Sequence, residues 1–269
     1  MELINTHTHT FLSGHGEGTV AEVVSAAVQE GLSTLAITEH YPLSKAFDPN
    51  NKVSMPFDSL DNYCNDIRAA QAVHPELEVL LGCELDWLGD DEDRQLSNAS
   101  FTRFDIVLGS VHLIDGWAFD APSSHEGWKK RGADYVWKRY FDIWCEAVLS
   151  DKPFTVMSHP DLPKKFGYYP SFSLDDLYSQ AAEAIRNSGR MVEVNTSGAN
   201  LACKEMYPAK ALLREFFKAG IPCTVGTDAH HPKNVATGIK QAYALMYECG
   251  YREVTVPTRD GDRRKVTIG

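Results

Sequence analysis

The sequence predicts an α/β fold in which parallel strands close into a barrel-like sheet. Short apolar runs alternate with longer amphipathic segments along the chain, which gives seven successive β-then-α units. Histidines follow the first run, where a doubly wound fold usually carries a glycine-rich nucleotide loop, so a barrel is preferred. Barrels of this kind commonly have about 250 residues. We therefore expect residues 1–269 to form a single barrel domain.

The predicted strands are short and rich in β-branched and other apolar residues, as in parallel sheets that are buried on both faces. They are Leu3–Thr6, Thr34–Thr38, Val79–Cys83, Ile106–Val111, Phe154–Ser158, Met191–Asn195 and Cys223–Gly226. The tail, residues 252–269, is predicted to form an appended hairpin that turns near Asp260-Gly261.

Helix boundaries are marked by capping residues and glycines. Thr19 and Glu22 form a capping box ahead of an amphipathic segment that ends at Gly31. Ser173 and Asp176 open a second amphipathic segment, which has leucine, alanine and isoleucine on one face. Further helical stretches are predicted to begin at Asp58, Tyr135 and Pro208. Each predicted helix follows a predicted strand, as the alternation requires.

The charge balance and the cysteines limit the possible functions. The chain has 26 Lys and Arg against 37 Asp and Glu, a formal net charge of −11. This balance argues against a nucleic-acid partner, which usually binds to a basic face, and it permits a small cationic substrate. No apolar run approaches the roughly 18 residues of a membrane span. Six scattered cysteines without a Cys-x-x-Cys pair favour reduced thiols in a cytoplasmic protein over a disulfide framework.

Nine side chains of metal-binding type stand at the C-terminal ends of six predicted strands. They are His7, His9, His15, His40, Glu84, His112, His159, Asp228 and His230. The C-terminal ends of the strands in a parallel barrel meet at one mouth, so these side chains are expected to share a cavity. Imidazoles and carboxylates are natural ligands for divalent zinc, manganese or iron. A single histidine is usually a surface or core residue, but nine donors at successive strand ends predict a metal centre.

The order of these residues resembles that of the polymerase and histidinol phosphatase (PHP) superfamily. The matching motifs are His7-x-His9 with His15, Thr38-Glu39-His40, Glu84, His112, His159 and Asp228-x-His230. The resemblance implies a distorted (β/α)7 barrel with three divalent metal ions at the C-terminal ends of its strands. Within the superfamily, stretches such as 109–115 and 159–167 make the sequence most similar to the monofunctional histidinol-phosphate phosphatases.

The resemblance also implies how the ligands are shared among the metals. It assigns His7, His9, Glu84 and Asp228 to the first ion, Glu84, His112 and His159 to the second, and His15, His40 and His230 to the third. Each ion then keeps open positions for water and for phosphate oxygens. The ligand types leave zinc, manganese and iron as alternatives.

Such a centre predicts hydrolysis of a phosphate monoester, with L-histidinol phosphate as the favoured small-molecule substrate. A hydroxide held between two cations is a strong nucleophile at neutral pH, and open metal positions neutralise the phosphate. The residues expected to take part in catalysis are Glu84 and Asp228, through the metals, and Asp161. Two roles remain open for Asp161: it orients His159, or it protonates the leaving alkoxide.

Polar side chains outside the metal pattern are expected to complete a phosphate site. The candidates are Lys164, Lys165, Arg190, Asn200 and Lys204. Asn200 stands where many histidinol phosphatases are expected to have an arginine, and it lacks the bidentate fork of a guanidinium. The cationic amine of histidinol is expected to meet one of the loop carboxylates Glu17, Asp115 and Asp161.

Two further groups complete the set of candidate residues. The aromatic residues that are candidates for a lid over an imidazole-bearing ligand are Trp87, Trp117, Phe119 and Trp128. The histidines that fall outside the metal pattern are His74, His125 and His231. His231 adjoins a predicted ligand and is a candidate for a supporting role.

Two alternatives to a histidinol-phosphate phosphatase remain open. The first is another PHP phosphoesterase that acts on nucleotides or phosphodiesters. Binding of single-stranded nucleic acid would require a cationic groove with stacking aromatic residues, and the net charge of −11 argues against long polymers. The second is a metal-binding protein without catalysis. A storage site would saturate its metals with protein ligands, whereas nine ligands shared among three ions leave positions open.

Overall fold

The computed structural model describes residues 1–89 and 98–269, and its centre is a seven-stranded parallel sheet. In chain order the strands are β1 (Leu3–Asn5), β2 (Leu32–His40), β3 (Glu78–Asp86), β4 (Ile106–Ser110), β5 (Leu113–Ile114), β6 (Trp117–Ala118), β7 (Val156–Met157), β8 (Met191–Asn195), β9 (Cys223–Gly226), β10 (Glu253–Pro257) and β11 (Arg263–Thr267). The parallel sheet has the order β1-β2-β3-β4-β7-β8-β9. All seven predicted strands are present in it.

Backbone hydrogen bonds between the first and last parallel strands bring the two edges of the sheet together. Thr6 N donates to Val225 O at 2.9 Å, and Asp228 N donates to His7 O at 2.8 Å. These bonds satisfy backbone groups that an open sheet would expose at its edges. The seven strands therefore form a nearly closed barrel, and the predicted fold class is confirmed.

The helices begin close to the predicted positions. In the described ranges they are α1 (Val20–Gln29), α2 (Leu60–Val73), α3 (His125–Arg131), α4 (Ala133–Leu149), α5 (Asp175–Ser188), α6 (Lys210–Lys218) and α7 (Ile239–Cys249). The predicted capping box is present, because Glu22 N donates to Thr19 Oγ1 at 3.3 Å and Thr19 N donates to Glu22 Oε2 at 2.7 Å. Four other helices begin two residues from the predicted start: Leu60 against Asp58, Ala133 against Tyr135, Asp175 against Ser173 and Lys210 against Pro208.

The barrel separates an apolar outer layer from a polar mouth. In α1 the buried residues are Val20, Val23, Val24 and Ala27, whose spacing places them on one face of the helix. The C-terminal ends of the strands instead carry buried polar residues, among them His7, His9, Glu39 and Glu84. Burial of such groups costs free energy unless they find partners, so their position at one end of the barrel marks a candidate functional site.

Two antiparallel hairpins accompany the barrel. Strands β10 and β11 pair with Val254 opposite Val266, which confirms the predicted hairpin in the tail. Gly261 takes a φ of 83° in its turn, a conformation that favours glycine. The short hairpin of β5 and β6 directly follows His112 and was not predicted. It lies in the loop that leaves the barrel mouth after β4.

The cysteines and the helices bear on the expected environment of the protein. All six cysteines are free thiols, and four of them are buried. No α-helix in residues 1–89 and 98–269 combines the length and the apolar character needed to cross a membrane. The expectation of a cytoplasmic location remains a prediction.

Candidate metal centre

The nine side chains of the predicted metal pattern converge at the C-terminal end of the barrel. Three overlapping groups have ligand atoms that lie within 4.8 Å of one another: His7, His9 and Glu84; His40, Glu84 and His112; His9, His40 and His230. The groups share His9, His40 and Glu84, so they form one continuous cluster. The six residues of these groups come from five strand ends, so the structure brings together side chains that are far apart in the sequence.

Glu84 lies at the centre of this cluster. Its Oε2 is 3.2 Å from His7 Nε2, 3.3 Å from His9 Nε2 and 3.1 Å from His40 Nδ1. Its Oε1 is 3.0 Å from His159 Nε2. Ligand atoms around an ion with bonds of roughly 2.1 Å lie about 3.4 Å apart in tetrahedral geometry, so these separations fit a shared metal site. One carboxylate thus faces four imidazoles from three different strand ends.

The remaining ligands close the cluster on the side of β9. Asp228 Oδ1 is 3.6 Å from His7 Nε2 and 3.3 Å from His9 Nε2. The His230 ring stacks on the His9 ring with centroids 4.2 Å apart, and the His15 ring lies 4.6 Å from His230. His15 is more exposed than these neighbours and stands at the edge of the cluster.

Four histidines are oriented by hydrogen bonds on the side of the ring that faces away from the cluster. These bonds run from His7 Nδ1 to Glu193 Oε1 at 2.8 Å, His112 Nδ1 to Asp86 Oδ1 at 2.6 Å, His15 Nδ1 to Ser13 O at 2.9 Å and His230 Nδ1 to Asp228 O at 3.0 Å. Carboxylate and carbonyl oxygens only accept, so Nδ1 is the donor and Nε2 is left as the nitrogen that can bind a cation. Histidines that bind metals show this pattern.

The donor set fits divalent cations. It contains only imidazole nitrogens and carboxylate oxygens, which suit zinc, manganese and iron. His230 Nε2 is buried and has no hydrogen-bond partner among the described residues. Such an unpaired polar atom costs free energy, and a bound cation would remove that cost.

The charges of the cluster favour positive ligands. Burial lowers the pKa of His7, but the charges of Glu193 and Glu84 outweigh burial and raise it to about 10. Burial raises the pKa of Glu84, yet the charges of His40 and His7 outweigh it and hold this pKa well below its ordinary value. Burial also lowers the pKa of His230 to about 3 and that of His40 well below its usual value. The carboxylate is therefore ionised and these two imidazoles are neutral, the forms that bind metals.

Lys164 and Asp161 form a buried ion pair beside the cluster. Lys164 Nζ lies 2.9 Å from Asp161 Oδ2 and donates to Met206 O at 2.7 Å. Asp161 Oδ2 also accepts from Ala209 N at 2.8 Å, so this carboxylate supports the loop that follows β8. These contacts correct two expectations: Asp161 does not orient His159, and Lys164 does not present its charge to a phosphate at the mouth. Both side chains are almost wholly excluded from solvent.

Arg190 was expected near a phosphate, and the structure contradicts this expectation. It directly precedes β8 and therefore lies at the opposite end of the barrel from the cluster. Its guanidinium donates to the backbone oxygens of Ala147 at 2.8 Å, Ser150 at 2.8 Å and Lys152 at 2.6 Å. These carbonyls belong to the end of α4 and the turn after it. A positive charge at the C-terminus of a helix also interacts favourably with the helix dipole. Arg190 thus has a structural role.

Three other candidates for the phosphate site lie at the correct end of the barrel. Lys165 is partly exposed in the short 3-10 helix after His159, and its Nζ donates to Asp120 Oδ2 at 2.9 Å. Asn200 and Lys204 are exposed in the loop that follows β8. Lys165 is the one whose position is fixed by an ion pair.

The remaining candidates are occupied elsewhere. Glu17 Oε2 lies 3.2 Å from His231 Nε2, so these two expected site residues pair with each other. Asp115 binds Arg139 and Tyr135 on the surface. The expected lid aromatics Trp87, Phe119 and Trp128 are buried and pack in the core, and the ring of Trp117 is covered by the Arg131 guanidinium 4.4 Å from its centroid.

Three carboxylates near the cluster were missed by the sequence analysis. Glu193 and Asp86 bind the outer nitrogens of His7 and His112. Asp120 is the third: burial raises its pKa, but the charges of Lys165 and His112 outweigh burial and lower it. A signal existed for one of them, because Glu193 is a charged residue between two apolar residues of its strand, whereas Asp86 ends a strand that already carries Glu84. A charge in such a strand indicates a buried polar partner.

Comparisons with known proteins agree with this geometry. The chain matches the model of the PHP domain over residues 5–197. A protein of Deinococcus radiodurans named a probable histidinol-phosphatase is 32% identical over 255 residues, which cover 94% of this chain and 96% of the relative. The histidinol-phosphatase of Lactococcus lactis subsp. lactis is 22% identical over 262 residues, or 94% of each chain.

A solved structure has the same fold. It is the histidinol phosphate phosphatase of Lactococcus lactis in complex with zinc, L-histidinol and phosphate. Its TM-score is 0.80 at 21% identity, and the alignment covers 96% of this chain and 97% of that one. The family model spans well over half of the sequence, and the relative from Deinococcus covers almost all of it. The chain belongs to the PHP domain family.

Proposed function

We propose that the protein is a metal-dependent phosphatase that hydrolyses L-histidinol phosphate to L-histidinol and phosphate. The observation that carries the proposal is the convergence of seven histidines and one aspartate around Glu84 at the barrel mouth. Identity of 32% to a probable histidinol-phosphatase, over nearly the full length of both chains, supports the choice of substrate. The zinc, histidinol and phosphate in the Lactococcus structure support the same choice.

We propose three divalent metal ions, held by the ligands that the family resemblance assigns. Divalent cations bound there would lower the pKa of a water molecule and neutralise the charge of the phosphate. The chain's own contribution is to hold the ligands in register. Glu84 presents both oxygens to the cluster, and the outer hydrogen bonds of His7 and His112 keep their Nε2 atoms directed inward. Buried, pre-oriented ligands need little rearrangement when the substrate binds.

The ion pair of Lys165 and Asp120 offers charges of both signs beside the cluster. L-Histidinol phosphate carries a phosphate and an ammonium group a few bonds apart. Lys165 Nζ can donate to a phosphate oxygen, and Asp120 can accept from the ammonium, because its pKa is lowered and it stays ionised. When the substrate binds, its phosphate would pair with Lys165 and its ammonium group with Asp120. Neither side chain would then be left without a charged partner.

The Lys165→Met variant tests this role. Loss of one charge-assisted hydrogen bond to phosphate costs about 1.5–3 kcal/mol, which corresponds to a rise in KM of roughly 10-fold to 100-fold. We expect kcat to change less, because the metals remain in place. Steady-state kinetics with histidinol phosphate measure both constants. Lys218→Met, an exposed lysine of α6, is the matched control and should behave like the wild type; an unchanged KM in Lys165→Met would contradict the role.

The substrate is tested by phosphate release from zinc-loaded protein. We expect histidinol phosphate to be hydrolysed with a higher kcat/KM than p-nitrophenyl phosphate, and bis(p-nitrophenyl) phosphate to be hydrolysed least. Preference for the diester would instead support a phosphodiesterase of the same family. Fully metallated protein that releases no phosphate from any of the three would support a binding protein without catalysis.

A further inference from the structure

Glu193 is a wholly buried carboxylate in the middle of β8. Its neighbours Val192 and Val194 are also fully buried, and Glu193 is the one charged residue of this strand. Burial of an ionised carboxylate costs free energy unless its oxygens accept hydrogen bonds from nearby donors. The hydrogen bonds of Glu193 show how that cost is offset.

Both oxygens of Glu193 accept hydrogen bonds, and two of the three donors belong to the metal cluster. Oε1 accepts from His7 Nδ1 at 2.8 Å, and Oε2 accepts from His159 N at 2.9 Å and from Asn195 Nδ2 at 3.0 Å. Because a carboxylate cannot donate, His7 must carry its proton on Nδ1. Its Nε2, which lies 3.2 Å from Glu84 Oε2, is then the nitrogen that faces the cluster.

The bond to His159 acts on the backbone. His159 has a φ of 24°, outside the conformations that non-glycine residues usually adopt. Such a conformation persists only where surrounding contacts hold it, and the Glu193 carboxylate holds its N–H. One side chain therefore sets the ring of one predicted ligand and the backbone of another, on two different strand ends.

The neighbouring strand leaves space for this carboxylate. A Cβ on Gly226 would lie 1.9 Å from Glu193 Oε1 and 2.5 Å from His7 Cβ, closer than any real contact. The φ of Gly226 is not in the left-handed region, so this glycine is needed for space and not for backbone freedom. Strand β9 can approach His7 and Glu193 only because residue 226 has no side chain.

We propose that Glu193 is a positioning residue of the metal centre, which fixes the tautomer of His7 and the backbone of His159 for metal binding. The inference rests on the proposed metal-dependent function and adds to it the residue that orders two of the ligands. A carboxylate behind a metal-binding histidine also makes the imidazole a better ligand. Glu193 touches neither substrate nor metal in this arrangement.

The Glu193→Gln variant keeps the shape and changes the hydrogen-bonding pattern. One oxygen becomes an NH₂ group, which can only donate. If it faces His7, it forces the ring proton onto Nε2, where a metal would bind. If it faces the other two partners, it opposes the His159 N–H and the Asn195 amide. Hydrogen bonds are therefore lost in either arrangement.

Zinc binding tests the proposal directly. We expect Glu193→Gln to bind zinc 10-fold to 100-fold more weakly, by equilibrium dialysis against a competing chelator. The zinc concentration that gives half-maximal phosphate release should rise by a similar factor, and excess zinc should restore much of kcat. A merely structural defect would not be rescued by zinc. Glu183→Gln makes the same chemical change at an exposed position of α5 and should match the wild type.

A second variant approaches the same contact from β9. Gly226→Ala should displace Glu193 and weaken zinc binding, and the double variant should lose little beyond the larger single effect, because both act through one contact. If the wild-type protein binds zinc and releases phosphate while Glu193→Gln binds zinc just as tightly, that result would overturn the positioning role alone. Wild-type protein that neither binds zinc nor releases phosphate would overturn the proposed function and this inference together.

Discussion

Replacing Glu84 with Gln is expected to lower kcat/KM for histidinol phosphate by about 1,000-fold, the upper end of the range for loss of one electrostatic group at a reacting centre. Glu84 is almost fully buried and faces His7, His9 and His159 within 3.3 Å. An amide keeps the volume but carries no charge and offers one acceptor oxygen where two are used. Bound zinc per chain should fall along with activity.

Glu78→Gln is the matched control for this experiment. Glu78 begins the same strand, β3, at the end opposite the mouth, and it pairs with Arg264 on the surface. Its loss should cost at most about 1 kcal/mol of stability and leave kcat/KM unchanged. Far-UV circular dichroism checks that both variants are folded. A Glu84→Gln protein with near-wild-type zinc content and turnover would contradict the central place of Glu84.

Removal of the metals is expected to have the second largest effect. Dialysis against a chelator should abolish phosphate release and lower the melting temperature, because the buried imidazoles and carboxylates lose the cations that they bind. A ligand at 1,000 times its Kd stabilises the folded state by about 4 kcal/mol, which corresponds to a shift of roughly 8–16 °C for a chain of this size. Adding zinc back should restore both activity and the melting temperature.

Manganese and iron serve as parallel additions in the same experiment, because the donor set accepts all three metals. Calcium is the control, since it prefers oxygen ligands and this cluster is mostly imidazole. Recovery with calcium alone, or full activity after chelation with no metal detected, would contradict a metal-dependent reaction.

The strands and the convergence of the candidate ligands could be predicted from the sequence because both depend on local order. A histidine that follows an apolar run is at a strand end, and parallel strands in a barrel bring those ends together. Placing the nine candidate ligands at this end required no information on side-chain direction. Asp228 and Glu84, far apart in sequence, therefore appeared in the same predicted site.

The supporting residues depended on side-chain direction, which the sequence does not fix. Glu193 differs from its neighbours only by being charged in an apolar strand, and nothing local says that it faces His7. Lys164 and Lys165 are adjacent, yet one is buried against Asp161 and the other reaches Asp120. Their directions follow from how the short helix after His159 packs.

Arg190 shows a different kind of error. Arg190 is next to a predicted strand, but it stands at the N-terminal end of that strand. A residue just before a parallel strand lies at the base of the barrel, whereas a residue just after it lies at the mouth. The guanidinium accordingly caps the end of α4 and is far from the cluster in the fold.

Anomalous scattering from crystals of the active, zinc-loaded protein, recorded on either side of the zinc absorption edge, tests the central claim most directly. We predict anomalous peaks at the barrel mouth within bonding distance of Glu84, His7 and His159. Crystals of protein with full phosphatase activity and no anomalous peak at the mouth would contradict the account.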